Sequence, residues 1–497
     1  MLIVFFAVMI GIGFFCKKNS TDVSGFVLGG RNVGALLTAF AYGTSYFSAV
    51  IFIGYAGQFG WKFGVSSTWI GIGNALLGSL LAWIFLGKRT RIMSHTLSSK
   101  TMPEFFGKRY DSEKIKLAAS AIVFIFLIPY TASLYNGLSR LFSMAFTIDY
   151  AWCVIGMAVF TGIYVTVGGY MATAVNDFIQ GIIMLVGIVT VIFAVINGFG
   201  GFSEAFSQLA NITDTAAGIS KGSLVSVFGP APLDLLSVVI LTSLGTWGLP
   251  QMVQKFYAIK DEKAIKTGTV VSTIFALVVA GGCYFLGGFG RISGIKTDAN
   301  GLPLGGYDSI IPTMLEPLNE ILLGVVIVLV LSASMSTLSS LVLASSSTLT
   351  LDFLDSVTKT KMTEKKKVSV MRVLIVVFIA ISAVIAIVQY KTNVSFIAQL
   401  MGISWGALAG AFLAPFLYGL YFKWVTRASV WVSFIFGSGI MILNMLFRSH
   451  FPAIIQSPIN CGAFAMLGSL IIVPLVSAFT KKPDNKIVTE SFADIKK

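Results

Sequence analysis

Charge is what this 497-residue chain has least of: Asp, Glu, Lys and Arg make up only 11% of it, against 56% hydrophobic residues. A water-soluble domain carries roughly 25% charged residues. A soluble globular fold is therefore excluded and an integral membrane protein implied. Histidine occurs twice, at His95 and His450, and cysteine four times, at Cys16, Cys153, Cys283 and Cys461. The cysteines lie in apolar stretches at no metal or redox spacing and read as packing residues. No His/Glu metal motif, nucleophile elbow or phosphate-binding glycine loop is present, so an enzyme is not expected. Also missing is any train of Asp, Glu and His through the apolar runs, the usual equipment of a proton relay. The net charge is +14, which in a soluble protein would suggest nucleic acid. Here the positives fall in short loops between apolar runs, so the lipid bilayer accounts for them and no nucleic-acid partner is expected.

What is present is apolar length. Runs long enough to span a bilayer occur at about 1–16, 34–55, 64–87, 116–145, 150–167, 174–198, 233–254, 267–290, 320–350, 370–389, 393–420, 425–447 and 458–479. They predict an all-α integral membrane protein of thirteen transmembrane helices. The first run has no basic flank before it and is followed by Lys17-Lys18, so it reads as a span rather than a signal peptide. With the N-terminus outside, 28 of the 35 basic residues fall in inner segments and six in outer ones, Arg140 lying within a span. That bias predicts a multi-pass protein of the plasma (inner) membrane with its N-terminus outside and its C-terminus cytoplasmic. The basic tail 481–497 is expected to be a mobile cytoplasmic end. The outer stretches 199–232 and 291–319 are rich in Gly, Ser, Thr and Pro and are expected to form lids or short surface helices.

Two spans are interrupted. The run 34–55 carries Gly43-Thr44-Ser45-Tyr46-Phe47-Ser48 at its middle, and 233–254 carries Thr242-Ser243-Leu244-Gly245-Thr246-Trp247-Gly248-Leu249-Pro250-Gln251. Glycine weakens a helix and proline removes a backbone donor. Unwound backbone at membrane depth is tolerated only where protein buries it or it lines a cavity. Each interrupted span opens a group of five, 34–198 and 233–420. Five is odd, so the second group runs inverted, and paired interrupted spans are a sequence pointer to a transporter's binding site. The remaining divisions are 1–33 (first helix and inner loop), the outer loop 199–232, two C-terminal helices in 421–480, and the tail.

A third feature is Leu331-Ser-Ala-Ser-Met-Ser-Thr-Leu-Ser-Ser340, hydroxyl-rich at the centre of an apolar run. Ser336, Ser339 and Ser340 share one helical face, three and four residues apart. Such a row of oxygens suits a hard cation such as sodium. It also suits plain packing, since hydroxyls in membrane helices bond back to their own carbonyls and let helices approach closely. Asp177, near the start of the sixth run, reads equally as a first-turn acid favoured by the helix dipole or as an intramembrane cation ligand. Tyr130 follows Pro129 and reads either as facing a cavity at a kink or as ordinary packing. Arg140 is expected to snorkel to the outer interface.

Leu28-Gly-Gly-Arg31, Gly168-Gly169 through Asp177-Phe-Ile-Gln180, Gly248-Leu-Pro250 with the basic loop after it, and Met335-Ser-Thr-Leu-Ser339 together resemble the sodium/solute symporter family. That family includes sodium/proline, sodium/pantothenate, sodium/sialic acid and sodium/glucose carriers, and the resemblance covers nearly the whole chain. It implies thirteen helices and a LeuT-type core of two inverted five-helix repeats. It implies a main sodium site at the carbonyls of Thr44, Phe47 and Ala333 and the hydroxyls of Ser336 and Thr337. By likeness to the sialic acid carriers, a second sodium would sit at Asp177, Ser339 and Ser340. Tyr46 stands where the proline carriers have an aspartate, so the subfamily stays open. Substrate contacts are expected from Ser45, Tyr46, Ser48, Tyr130, Trp247 and Gln251, with Tyr46 and Trp247 as flat walls. With no buried Arg or Lys in view, a substrate carboxylate would have to rely on half-helix N-termini or on sodium.

The expected function is secondary active transport: sodium-coupled import of a small organic solute, such as a proline-like amino acid, a pantothenate-like carboxylate, or a sialic acid or sugar, by alternating access. The competing reading is a membrane sensor on the same fold, or a channel-like sodium leak without tight solute coupling. The short tail argues against a fused sensor. The sequence leaves the solute, the sodium stoichiometry and the oligomeric state open, a monomer included.

Overall fold

Inside a bilayer every backbone N–H and C=O must find its partner within the protein, so apolar runs of this length fold as helices. The computed structural model describes residues 1–146, 148–358, 362–392 and 397–495, and the chain is all-helical. In order the principal helices are α1 (Leu2–Cys16), α2 (Ala35–Tyr46), α3 (Ala56–Phe63), α4 (Glu113–Phe146), α5 (Tyr150–Gly198), α6 (Pro232–Gly248), α7 (Pro250–Ala258), α8 (Glu262–Gly287), α9 (Glu320–Thr348), α10 (Glu364–Thr392), α11 (Ile397–Tyr421), α12 (Arg427–Phe447), α13 (Pro458–Phe479) and α14 (Asn485–Ser491). Among the described residues nine helices are long and apolar enough to cross a membrane, or ten if α6 and α7, bent by 47°, form one span. Lys359, Lys361, Lys496, Lys497 and the start of the 393–420 run lie outside the described residues, as does the side chain of Arg140.

Two of those nine hold sharp reversals of direction. Val50–Thr96 passes through Gly64 (φ 65°, ψ −144°), and α5 passes through Gly169 (φ 58°, ψ −149°). This backbone region is essentially restricted to glycine. Gly169 also decides the role of Asp177, which lies about two turns beyond the break and so is no first-turn cap.

The two interrupted spans are broken as expected. Phe47 ends α2 at φ −85°, ψ 127°, and Leu249 separates α6 from α7 at φ −86°, ψ 124°. The two breaks are thus almost the same in conformation. Beyond Phe47 the chain resumes through Val50–Tyr55 into α3.

α9 is buried without interruption from Leu329 to Thr348. It packs on α2, α4, α5 and α10, so its hydroxyl-rich centre faces protein on every side rather than lipid. α11 fills the other half of the core, against α4, α6, α12 and α13.

The outer stretches contain Phe202–Asn211 and Ile310–Leu315 as short helices. The tail differs from expectation. Its residues 485–491 form α14, which packs on the helices Lys88–Thr96 and Met102–Arg109. Phe492 lies beneath the Arg109 guanidinium, 5.0 Å from it, and Thr96 donates a hydrogen bond to Asp494 at 2.9 Å. An aromatic anchor and an arginine partner, not charge alone, fix its place.

Candidate ion and solute site

The break at Phe47 leaves the last carbonyls of α2 without intrahelical donors. α9 supplies hydroxyls to them. Thr337 Oγ1 lies 2.9 Å from Phe47 O, 3.1 Å from Thr44 O and 3.2 Å from Ala333 O. Ser336 Oγ lies 3.0 Å from Ala333 O and 3.2 Å from Thr44 O. The structure thus brings Thr44, Phe47, Ala333, Ser336 and Thr337 into one buried cluster. A hydroxyl carries one proton. Three carbonyls and two hydroxyl oxygens therefore share two protons, and the surplus of lone pairs makes a cage chemically suited to a small hard cation. Among the described residues no three His, Cys, Asp or Glu side chains group as metal ligands.

One turn along α9 the chemistry changes. Ser340 Oγ is 2.8 Å from Ser45 Oγ, and Ser45 donates its proton to Ala41 O at 2.6 Å. Ser340 is therefore the donor in that pair. It in turn accepts a hydrogen bond at 3.0 Å from Lys255 Nζ. Lys255, from α7, is 2% exposed, and its ammonium lies 3.8 Å from Asp177 Oδ2. The view that no buried lysine or arginine is on hand is thereby corrected: Lys255 belongs not to the inner loop but to the buried face of a broken span. Asp177 and Ser340 flank its ammonium, while Ser339 turns back to donate to Ser336 O at 2.9 Å.

The expected solute residues separate into two sets. Tyr46 and Tyr130 both meet the ring of Trp405, at 5.7 and 5.8 Å between centroids. The Tyr46, Tyr130 and Ser48 hydroxyls and the Trp405 indole N–H are buried and make no close hydrogen bond among the described residues, although Tyr130 faces Ser48 and Trp405 and Tyr46 faces Tyr284, and both ends of the Gln251 amide are likewise without a close partner. Burying polar groups unpaired is costly, on the order of 1–3 kcal/mol each. Tyr46 and Ser48 flank the break of α2 and Gln251 follows the break between α6 and α7, while Tyr130 comes from α4 and Trp405 from α11; such groups can receive polar partners from elsewhere. Ser45 is instead committed to Ser340 and Ala41. Trp247 faces away: its indole donates to Leu77 O at 2.9 Å and its ring meets Phe85. It lines a groove of about 340 Å³ with Leu417, Tyr418 and Phe422, which corrects its expected place as a solute wall. The bend at Leu249 rotates Trp247 and Gln251 apart, although an unbroken helix would put them on one face.

Sequence reasoning passed over Trp405. Its signal is a lone large aromatic among Gly402, Gly406 and Gly410 on α11. Gly245 receives it, since a Cβ there would stand 2.7 Å from the Trp405 ring.

Comparison with known proteins gives the family and the fold. The model of the sodium:solute symporter family matches residues 26–437. Curated relatives include sodium/proline symporter 2 of Staphylococcus saprophyticus, 28% identical over all of this chain and 95% of that protein. Another is the sodium/proline symporter of Staphylococcus aureus, 29% identical over 99% of this chain and 94% of that protein. A solved Na+-coupled sialic acid symporter in a substrate-bound outward-open state shares the fold, with a TM-score of 0.74, 17% identity, and coverage of 97% of this chain and 98% of that one. The chain belongs to the sodium:solute symporter family and is a multi-pass membrane transporter, not an enzyme.

Proposed function

We propose that the cage of Thr44, Phe47, Ala333, Ser336 and Thr337 holds the co-transported sodium ion, and that the solute sits beside it against Tyr46, Ser48, Tyr130, Gln251 and Trp405. The observation that carries this reading is the convergence of five buried oxygens, three of them backbone carbonyls, where α2 breaks against α9. Sodium there bridges the two helices and favours the arrangement that receives solute. At 100 mV one inward charge gains about 2.3 kcal/mol from the membrane potential. That corresponds to roughly 50-fold accumulation of solute.

The solute chamber is aromatic, uncharged, and mixed in donors and acceptors. It suits a small solute of no net charge with one apolar face, and a zwitterionic amino acid such as proline is the first candidate, in line with the curated relatives. Tyr46, in place of an acidic residue, narrows the chamber to solutes that accept a phenol as neighbour. The sensor and leak readings are less favoured, because the curated relatives are solute symporters and buried polar groups at both helix breaks, Ser48 and Gln251 among them, suit a solute that completes them.

The same reading takes the spans as thirteen. α1 counts as one, the broken segment from Ala35 to Phe63 as one, α6 with α7 as one, and Gly169 divides α5 into two. The near-identical breaks at Phe47 and Leu249 support a LeuT-type core of inverted repeats over 34–198 and 233–420, with outer loop 199–232 and accessory regions 1–33, 421–480 and 481–497. The loop charges support an outer N-terminus and a cytoplasmic C-terminus in the plasma membrane. The test is counterflow in sealed proteoliposomes with proline, other amino acids, pantothenate, sialic acid and sugars, each with inward sodium or choline. Sodium-dependent accumulation of one solute is expected; sodium flux without accumulation of any would support the leak instead.

A further inference from the structure

Among the described residues Lys255 is the one buried lysine, and it lies outside the sodium cage. Its surroundings are those of a bound cation. Asp177 is fully buried, and among the described residues its carboxylate makes no contact closer than its ion pair with Lys255. The Lys255 ammonium is 3.8 Å from one of its oxygens, 3.0 Å from Ser340 Oγ and 5.1 Å from the centre of the Tyr170 ring. A carboxylate, a hydroxyl oxygen and an aromatic face are groups that bind cations. Ser340 sits one turn from Ser336, so this position lies directly beside the sodium cage along α9. It is also where the sequence suggested a second sodium.

We infer that the Lys255 ammonium is a built-in cation that fills the Asp177–Ser340 position, so that this carrier works with a single sodium ion. The inference rests on the sodium-cage reading above. Among the described residues the chain provides one carboxylate there, that of Asp177. That carboxylate neutralises either lysine or a second sodium, not both. The lysine is tethered, so the positive charge at this position returns with α7 on each cycle rather than being delivered to the cytoplasm. Its bond to Ser340, and Ser340's bond to Ser45, also join the second broken span to the first through α9. A change at the solute side of one break is thereby felt at the other.

Equilibrium binding of radioactive sodium to the purified full chain tests this without knowledge of the solute. Wild-type protein should bind one sodium per chain with simple saturation. Lys255→Met leaves Asp177 uncompensated in a polar pocket and should bind two. The double variant Lys255→Met/Asp177→Asn, which removes both charges and so avoids an unpaired buried one, should return to one. Two ions on wild-type protein would overturn the inference, as would Lys255→Met staying at one while the affinity of its first site matches wild type. No sodium on wild-type protein would instead overturn the cage reading.

Discussion

Thr337 donates to the carbonyl of Phe47 across 290 residues of sequence. That contact joins the end of α2, where helical bonding stops, to the middle of α9, where serine and threonine replace aliphatic residues. Because the carbonyl is freed by a local break and the hydroxyl is fixed on a continuous helix, the pair makes a hinge and its latch. On the proposed reading, sodium bound at this latch would act directly on the position of α2, and through Tyr46 on the solute.

The chamber polar groups should act on solute rather than on sodium. Trp405→Phe keeps the ring contacts with Tyr46 and Tyr130 and removes only the N–H. If the indole meets the solute, the solute concentration for half-maximal uptake should rise about tenfold or more, the worth of one hydrogen bond at roughly 1.4 kcal/mol. Gln251→Leu should do the same. Uptake kinetics at saturating sodium, with sodium titrations alongside, check that the sodium requirement stays put.

Outside the membrane, Asp214 receives a hydrogen bond from Arg291 at 2.9 Å, and Arg291 also donates to Trp61 O. That hydrogen bond from Arg291 holds the Asp214 carboxyl below the ordinary carboxylate range. A depressed folded-state pKa contributes stability above the unfolded value, near 4, and loses it as pH falls through the folded one. Asp214→Asn should therefore lower thermal stability at neutral pH. The gap from wild type should close only below about pH 4, as melting curves across that range would register.

Gly60 in α3 lies so close to Gly287 of α8 that a Cβ would stand 2.0 Å from that residue's carbonyl. Backbone cannot yield as a flexible side chain does. Gly60→Ala should cost 1–3 kcal/mol or more, about the usual penalty of overpacking, seen as lost monodisperse protein in detergent. Gly30→Ala at a site with open space tests instead the cost of φ 68° alone, and should cost less.

On the inner side, Phe492 sits under Arg109 and 5.7 Å from the Lys423 ammonium. Phe492→Ala removes a cation–π contact worth about 0.5–2 kcal/mol and the anchor of α14. Protease cleavage around 481–495, followed by mass spectrometry on inside-out vesicles, should accelerate several-fold, while sodium-dependent uptake persists.

Much of the site is legible from sequence because its signals are local. Gly43 and Pro250 announce the helix breaks, and Ser336 with Thr337 stand out against the aliphatic residues around them. Lys255 and Trp405 escape for an opposite reason. Lys255 is followed by Lys260, Lys263 and Lys266, so composition assigns it to their loop, whereas it lies in α7, every residue of which is buried. Trp405 has only Ser404 beside it to mark it in an apolar run, and its partners Tyr46 and Tyr130 come from α2 and α4, far away in sequence. Trp247 misleads because helical phase is not carried through a 47° bend. The tail misleads because one aromatic residue, Phe492, outweighs a polar composition.

The most direct measurement is a sodium titration of the melting temperature of purified wild-type, Ser336→Ala and Thr337→Val protein, with choline as control. A ligand that binds the folded form raises its stability by mass action. The cage predicts a sodium-specific rise for wild type, and a shift of the half-effect to about tenfold or more higher sodium in each variant, as expected for a lost oxygen ligand. An unchanged sodium response in both variants would contradict it.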